Sequence, residues 1–201
     1  MSNPVKLPIE FYNREVKSVA KSLLGKIFVR RNDDLVMSGI IVEVEAYNGK
    51  GDEASHSFNG MTKRNEIMFG RAGHLYVYFT YGMHFCANVV TGKEGFGAAV
   101  LIRAIEPIDG ISTLAKNRFF KENISHKELI NLCNGPAKIC QAFSIIREQN
   151  GINLSGDEIY ILDAPEIPTS KIVSTPRIGI KKSIDLLWRY YIKDNPFVSK
   201  K

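Results

Sequence analysis

Residues 75–88 alternate on both sides of a Tyr81-Gly82 step, in the run Leu75-Tyr76-Val77-Tyr78-Phe79-Thr80, then Met83-His84-Phe85-Cys86-Ala87-Asn88. Period-two alternation on both flanks of a turn containing glycine predicts a β-hairpin. A folding core needs Leu, Ile and Val, not tyrosines running up to an exposed turn. Such a hairpin can be packed into a core. Aromatic rings on a turn of a basic chain also suit stacking on nucleobases. The chain has 201 residues and a net charge of +6, a balance that favours a polyanionic partner.

The pattern outside the hairpin predicts mixed structure. Asn13–Leu24 carries Val16, Val19, Ala20 and Leu23 as one apolar helical stripe, stopped by Gly25. Strands are expected over Lys26–Arg31 and about Val36–Tyr47, across an Asn32-Asp33-Asp34 turn. Another runs over Ala98–Ile105 and is ended by Glu106-Pro107. Helices follow over about Asp109–Phe119, His126–Cys133 and from Gly135-Pro136 through Ile145, with Pro136 in a first turn. Short strands are expected near Glu158–Leu162 and Lys171–Ile180, and Leu186–Ile192 suits either state. Strands in hairpins followed by grouped helices predict one α+β domain over residues 1–201 with a largely antiparallel sheet.

Several classes are excluded. Cys86, Cys133 and Cys140 form no disulfide framework and no Cys-x-x-Cys zinc spacing, which fits a reducing cytoplasm. The start, Met1-Ser2-Asn3-Pro4-Val5-Lys6, lacks an apolar signal core, and no run of about 20 apolar residues predicts a membrane span.

Two segments carry candidate chemistry. In Val42-Glu43-Val44-Glu45-Ala46-Tyr47 the strand period puts Glu43, Glu45 and Tyr47 on one face and Val42, Val44 and Ala46 on the other. That face is either the solvated side of a sheet or a carboxylate beside a base-holding ring. The loop from 48 to 73 is too long for a simple connector. It carries Asp52-Glu53-Ala54-Ser55-His56, whose imidazole could position a water that a carboxylate deprotonates. Glu43 and Glu45 stand too close together to flank a sugar from opposite sides as a glycosidase pair.

Glu45-Ala46-Tyr47, Asp52-Glu53-Ala54-Ser55-His56, Leu75-Tyr76-Val77-Tyr78, Tyr81-Gly82-Met83, Phe85-Cys86 and Asn88 together resemble the alkyladenine (3-methyladenine) DNA glycosylase family. Arg103-Ala104-Ile105-Glu106-Pro107, Gly135-Pro136-Ala137-Lys138, Pro176-Arg177-Ile178-Gly179 and Asn195-Pro196-Phe197-Val198-Ser199 extend the likeness over about residues 10–199. Without a long amino-terminal extension the chain resembles the compact bacterial form. His84 stands where family members often carry Tyr, and Asp185–Tyr190 departs from the family's usual run.

The resemblance implies a curved sheet with surrounding helices and a protruding hairpin. It implies a DNA repair enzyme that flips alkylated or deaminated purines from duplex DNA and hydrolyses the N-glycosidic bond. 3-Methyladenine and 7-methylguanine are its foremost expected lesions. Glu45 would be the general base, with His56 and Arg103 placing the water. Tyr47 would stack on one face of the base, with His56 and Tyr78 on the other, and Asn88 at the pocket floor. Tyr81 would fill the gap left in the duplex, braced by Met83 and His84, while Gly135 and Lys138 would contact phosphate.

A cationic methylated purine leaves readily, so one carboxylate suffices, and no metal or cofactor is expected. No lysine stands out as a Schiff-base nucleophile, so a monofunctional enzyme that leaves an abasic site is expected. Its partner would be damaged double-stranded DNA, bound by a monomer at the nucleoid without an obligatory protein partner. A non-catalytic reader of damaged or distorted DNA is the competing reading; it would use the same aromatics and have no need of Glu45.

Overall fold

The computed structural model describes residues 5–33, 35–80 and 82–200. The helix expected over Asn13–Leu24 is observed as α2 (Val16–Leu23), with Val16, Val19, Ala20 and Leu23 buried, and a separate four-residue helix, α1 (Ile9–Tyr12), precedes it. α2 starts after Glu15, whose carboxylate accepts from the Ser18 amide at 2.9 Å and caps it. Strands β1 (Ile27–Asn32) and β2 (Leu35–Tyr47) follow, then β3 (Leu75–Thr80), β4 (His84–Thr91) and β5 (Ala98–Asp109). Three helices come next: α3 (Ile111–Phe119), α4 (His126–Leu132) and α5 (Pro136–Ala142). Strands β6 (Ile159–Leu162), β7 (Ile172–Thr175) and β8 (Arg189–Ile192) follow, and three short 3-10 helices lie at Glu66–Phe69, Arg147–Gln149 and Thr169–Lys171.

All strand pairs are antiparallel, in the order β3-β4-β5-β2-β1-β6, with β8 on β2 and β7 on β8. The expected α+β class with a largely antiparallel sheet is therefore observed, and Leu186–Ile192 resolves as mostly strand. Apolar residues of α2 (Val19, Leu23), α3 (Leu114) and α5 (Ile139) bury the Val44, Ala46, Val100 and Ile102 side of the sheet. The helix at Glu66–Phe69 instead packs Met68 on Tyr76, Val90 and Ala99, so the long 48–73 loop covers a second face. Cys86, Cys133 and Cys140 are buried and unbonded. Among the described residues no helix is long and apolar enough to cross a membrane.

Three sequence expectations are corrected. β5 does not stop at Glu106-Pro107 but runs to Asp109, with Pro107 opposite Gly39 of β2. β4 pairs with β5 only over residues 98–101, so Pro107 lies on a one-sided stretch where its missing N–H removes no ladder bond. Helix α5 ends at Ala142 rather than Ile145, because Ser144 takes a left-handed φ of 51°. β7 ends at Thr175, where Pro176 follows.

The alternation of β2 is also interrupted. Ile41 pairs with Ile105, Glu43 with Ala104 and Val44 with Ile102, which leaves Val42 and Arg103 as extra residues in their strands. Val42 therefore departs from the face of Val44 and Ala46 and packs with Ala104 and Phe197. A bulge of this kind re-aims a side chain, and here the re-aimed side chain is Arg103.

Gly39 marks a close approach of β2 to β5. A Cβ there would collide with the Ile105 side chain and lie 2.6 Å from the Glu106 carbonyl oxygen. Gly39→Ala should therefore destabilise by about 1–3 kcal/mol, read as a lower urea midpoint at unchanged slope. An unchanged midpoint would show that the two strands can part there without cost.

Candidate active site

The cleft exists because β4 and β5 part company. They pair from Thr91–Ala98 to Asn88–Leu101 and no further, so the outer half of the β3–β4 hairpin projects from the sheet. Cys86 and Asn88 of β4 then line one side of a cleft of about 460 Å³, with Leu101 and Arg103 of β5. Tyr47 at the end of β2, His56 from the long loop, Tyr76 and Tyr78 of β3 and Pro136 at the start of α5 also line it. A second loop, 178–182, supplies a further stretch of wall.

Of the residues predicted for the pocket, Tyr47, His56, Tyr78, Asn88 and Arg103 all line this one cleft. His56 meets Tyr78 edge-on, with centroids 4.6 Å apart, and its Nδ1 lies 3.1 Å from the Tyr76 hydroxyl. Tyr76 and Tyr78 stack at 5.5 Å and 29°. Burial of the ring against this wall, then the nearby Arg64 charge, lower the His56 pKa and favour the neutral imidazole. Burial raises the Tyr76 phenol to about 12. Burial, followed by Glu45 for Tyr47 and by Cys86 for Tyr78, pushes those two phenols higher still. The aromatic part of the cleft wall therefore carries no charge at neutral pH. Asn88 is a buried part of the cleft lining, donating from Nδ2 to the Tyr76 carbonyl at 3.1 Å.

Glu43 and Glu45 are both completely buried, which removes the solvated-face alternative. β2 is central at this point, with β5 on one side and β8 on the other. Glu45 does not itself line the cleft; it stands directly behind residues that do. Its Oε2 accepts from the Tyr47 hydroxyl at 2.8 Å and lies 3.3 Å from Nη1 of Arg103. Its Oε1 accepts from the Ile178 amide at 2.7 Å.

Glu43 is a structural anion. It accepts from Arg103 Nε at 2.9 Å, Arg189 Nε at 2.7 Å, the Ser199 amide at 2.6 Å and the Ser199 hydroxyl at 2.9 Å. Burial alone would raise its pKa, but Arg103, Arg189 and Ser199 together hold it below the usual carboxylate range. Burial likewise works against the Arg103 charge, and Glu45 and Glu43 outweigh it.

Met83, His84, Gly135 and Lys138 are not among the cleft-lining residues. Met83 is 69% exposed at the hairpin tip, while His84 is half-buried with Nδ1 unpartnered among the described residues. Tyr81 lies outside the described residues. Lys138, in the first turn of α5, donates to Asn134 at 2.7 Å, and Gly135 precedes the cleft-lining Pro136. Sequence reasoning gave no role to Tyr76, Asp52, Arg177, Arg189 or Ser199. Asp52 and Arg177 stood within motifs already singled out, but nothing local signalled that they pair.

The methylpurine-DNA glycosylase family model matches residues 10–196. A protein of Alkaliphilus oremlandii, provisionally named a 3-methyladenine DNA glycosylase, is 47% identical over 98% of this chain and 100% of its own. Similarly named proteins of Clostridium acetobutylicum and Bacillus thuringiensis are 47% and 46% identical, each over 98% of its own length. A family match along nearly the whole chain and full-length relatives at this identity lead to one conclusion: the chain belongs to the methylpurine-DNA glycosylase family.

Proposed function

We propose that this protein extrudes an alkylated or deaminated purine from duplex DNA and hydrolyses its N-glycosidic bond with a water deprotonated by Glu45. The observation that carries the reading is a fully buried carboxylate whose hydrogen-bond partners, Tyr47 and Ile178, and ion-pair partner, Arg103, line an aromatic cleft. A carboxylate repels phosphate, so a protein that only read damaged DNA would gain nothing from it.

The residue types suit the reaction. Extruding a base costs roughly a few kcal/mol. Stacking on Tyr47 and Tyr78 and insertion of Tyr81 into the vacated gap each return about 1–3 kcal/mol. A cationic methylated purine gains a further ~0.5–2 kcal/mol against aromatic faces. A water entering from the cleft beside Arg103 meets Glu45 Oε2, which has a second lone pair free while it accepts from the Tyr47 hydroxyl. His56, neutral, holds that water without competing for the proton, and Asn88 obstructs the amino group of an undamaged guanine. Met83 and His84 brace the duplex beside Tyr81, and Lys138 with the Gly135 backbone meets phosphate.

Lys181 and Lys182 line the cleft, so the absence of a lyase step needs its own test. Lys182 is exposed and paired with Glu53 at 3.0 Å, whereas a Schiff-base lysine is activated by desolvation. Incubation with a duplex carrying methylated purines should give free base and an unbroken, alkali-labile strand. A covalent protein–DNA adduct trapped by borohydride would overturn the monofunctional assignment.

A further inference from the structure

Asp52 and Arg177 form a fully buried ion pair, with neither side chain exposed. The contact is bidentate: Nη1 to Oδ2 and Nη2 to Oδ1, both at 2.7 Å. Nη1 also donates to the Ala46 carbonyl at 2.9 Å, between Glu45 and Tyr47 on β2. The guanidinium lies 4.6 Å from the Tyr47 ring centroid and 5.4 Å from that of Trp188. Asp52 in turn accepts from the Asn48 amide at 3.1 Å and the Ala54 amide at 3.2 Å, which fixes the start of the loop that carries His56.

We propose that the Asp52–Arg177 pair is a positioning device for base excision, setting the Tyr47 ring directly and the Glu45 carboxylate through the neighbouring Ile178 amide. This rests on the reading of Glu45 as the base. A buried ion pair is a poor way to gain stability, because well-packed apolar groups of like volume do as well or better. What a bidentate guanidinium supplies is direction, since its planar fork fixes the orientation of both partners. Here that fork locks three pieces of chain together: the end of β2, the loop at 52–54, and the 177–178 backbone. With Oε1 of Glu45 committed to Ile178, Oε2 alone faces Tyr47 and Arg103, the side from which water must come. Loosening the pair lets Ile178 drift and the carboxylate turn. A misplacement of about 1 Å costs about 10²-fold in rate.

The test compares Asp52→Asn, Arg177→Gln and the double variant. Each is assayed for urea stability, affinity for a duplex bearing a tetrahydrofuran abasic analogue, and single-turnover release of methylated purine. Each single variant should lose stability by stranding a buried charge. The double variant, with a neutral Asn–Gln pair, should regain stability and bind the analogue like wild type, yet release base about 10²-fold more slowly. Recovery of the rate together with stability would reduce the pair to a structural tie and overturn the proposal.

Should the double variant not fold, Arg177→Lys carries the test, because it keeps the charge and loses the fork. Slow release with normal binding is expected, and full-rate release would overturn the proposal. Glu45→Gln run alongside separates the two ideas. If Glu45→Gln is inactive while a folded pair variant excises at the wild-type rate, only the positioning role falls. If Glu45→Gln excises normally, the reading of Glu45 falls first.

Discussion

Glu43→Ala should lower the unfolding free energy by about 3–5 kcal/mol, measured by urea denaturation at neutral pH. The side chain is completely buried and accepts four hydrogen bonds, two of them from guanidinium groups that are themselves buried. Its removal strands Arg189, which keeps its hydrogen bonds to Thr175 and the Lys200 carbonyl, and leaves Arg103 with Glu45 and a long contact to the Ser199 hydroxyl. Losing one partner of a buried pair is costly because the other charge stays behind, away from water.

The pH dependence follows in sign. The folded-state pKa of Glu43 is depressed, so its contribution is complete above the unfolded glutamate range. It fades as pH falls through the lower folded value. Wild type should therefore lose stability on acidification more steeply than Glu43→Gln. An alanine variant within about 1 kcal/mol of wild type would show that the network adds little.

Glu45→Gln should slow single-turnover excision by about 10²–10⁴-fold, the usual contribution of a positioned general base, while lesion-duplex affinity is retained. The amide preserves the shape of the side chain. Its oxygen can accept from Ile178, and its NH2 can donate to the Tyr47 hydroxyl, so the aromatic walls stay in place. What is lost is the ability to take a proton from water and the negative charge facing an oxocarbenium-like sugar. A parallel loss of binding would mean that the carboxylate holds the cleft together. An unchanged rate would remove Glu45 from the chemistry.

The hairpin, the β2 strand and the Gly135-Pro136 helix start were legible because each is declared by local alternation or by a turn or capping residue. Pro107 misled because its meaning depends on whether β4 is alongside, which no local pattern records. The bulge that re-aims Arg103 involves one extra residue in each of two strands, and neither strand shows it alone. Motif likeness brought Tyr47, His56, Tyr78, Asn88 and Arg103 to one cleft. It could not reveal that Glu43 serves structure while Glu45 stands behind the cleft, since both sit on the same strand face. The contacts that separate them come from Arg189 and Ser199, 146 and 156 residues away. Arg177 meets Asp52 across 125 residues. Pairings at such separation are set by the finished sheet and leave no periodic trace.

Release of a damaged base, rather than mere retention of it, is what separates a glycosylase from a damage reader. The most direct measurement is chromatography of the soluble products after excess protein is incubated with methylated duplex DNA. Free methylated purine, absent with undamaged duplex and nearly absent with Glu45→Gln, is the predicted result. Tight binding of the methylated duplex with no free base would contradict the account and assign the cleft to damage recognition without catalysis.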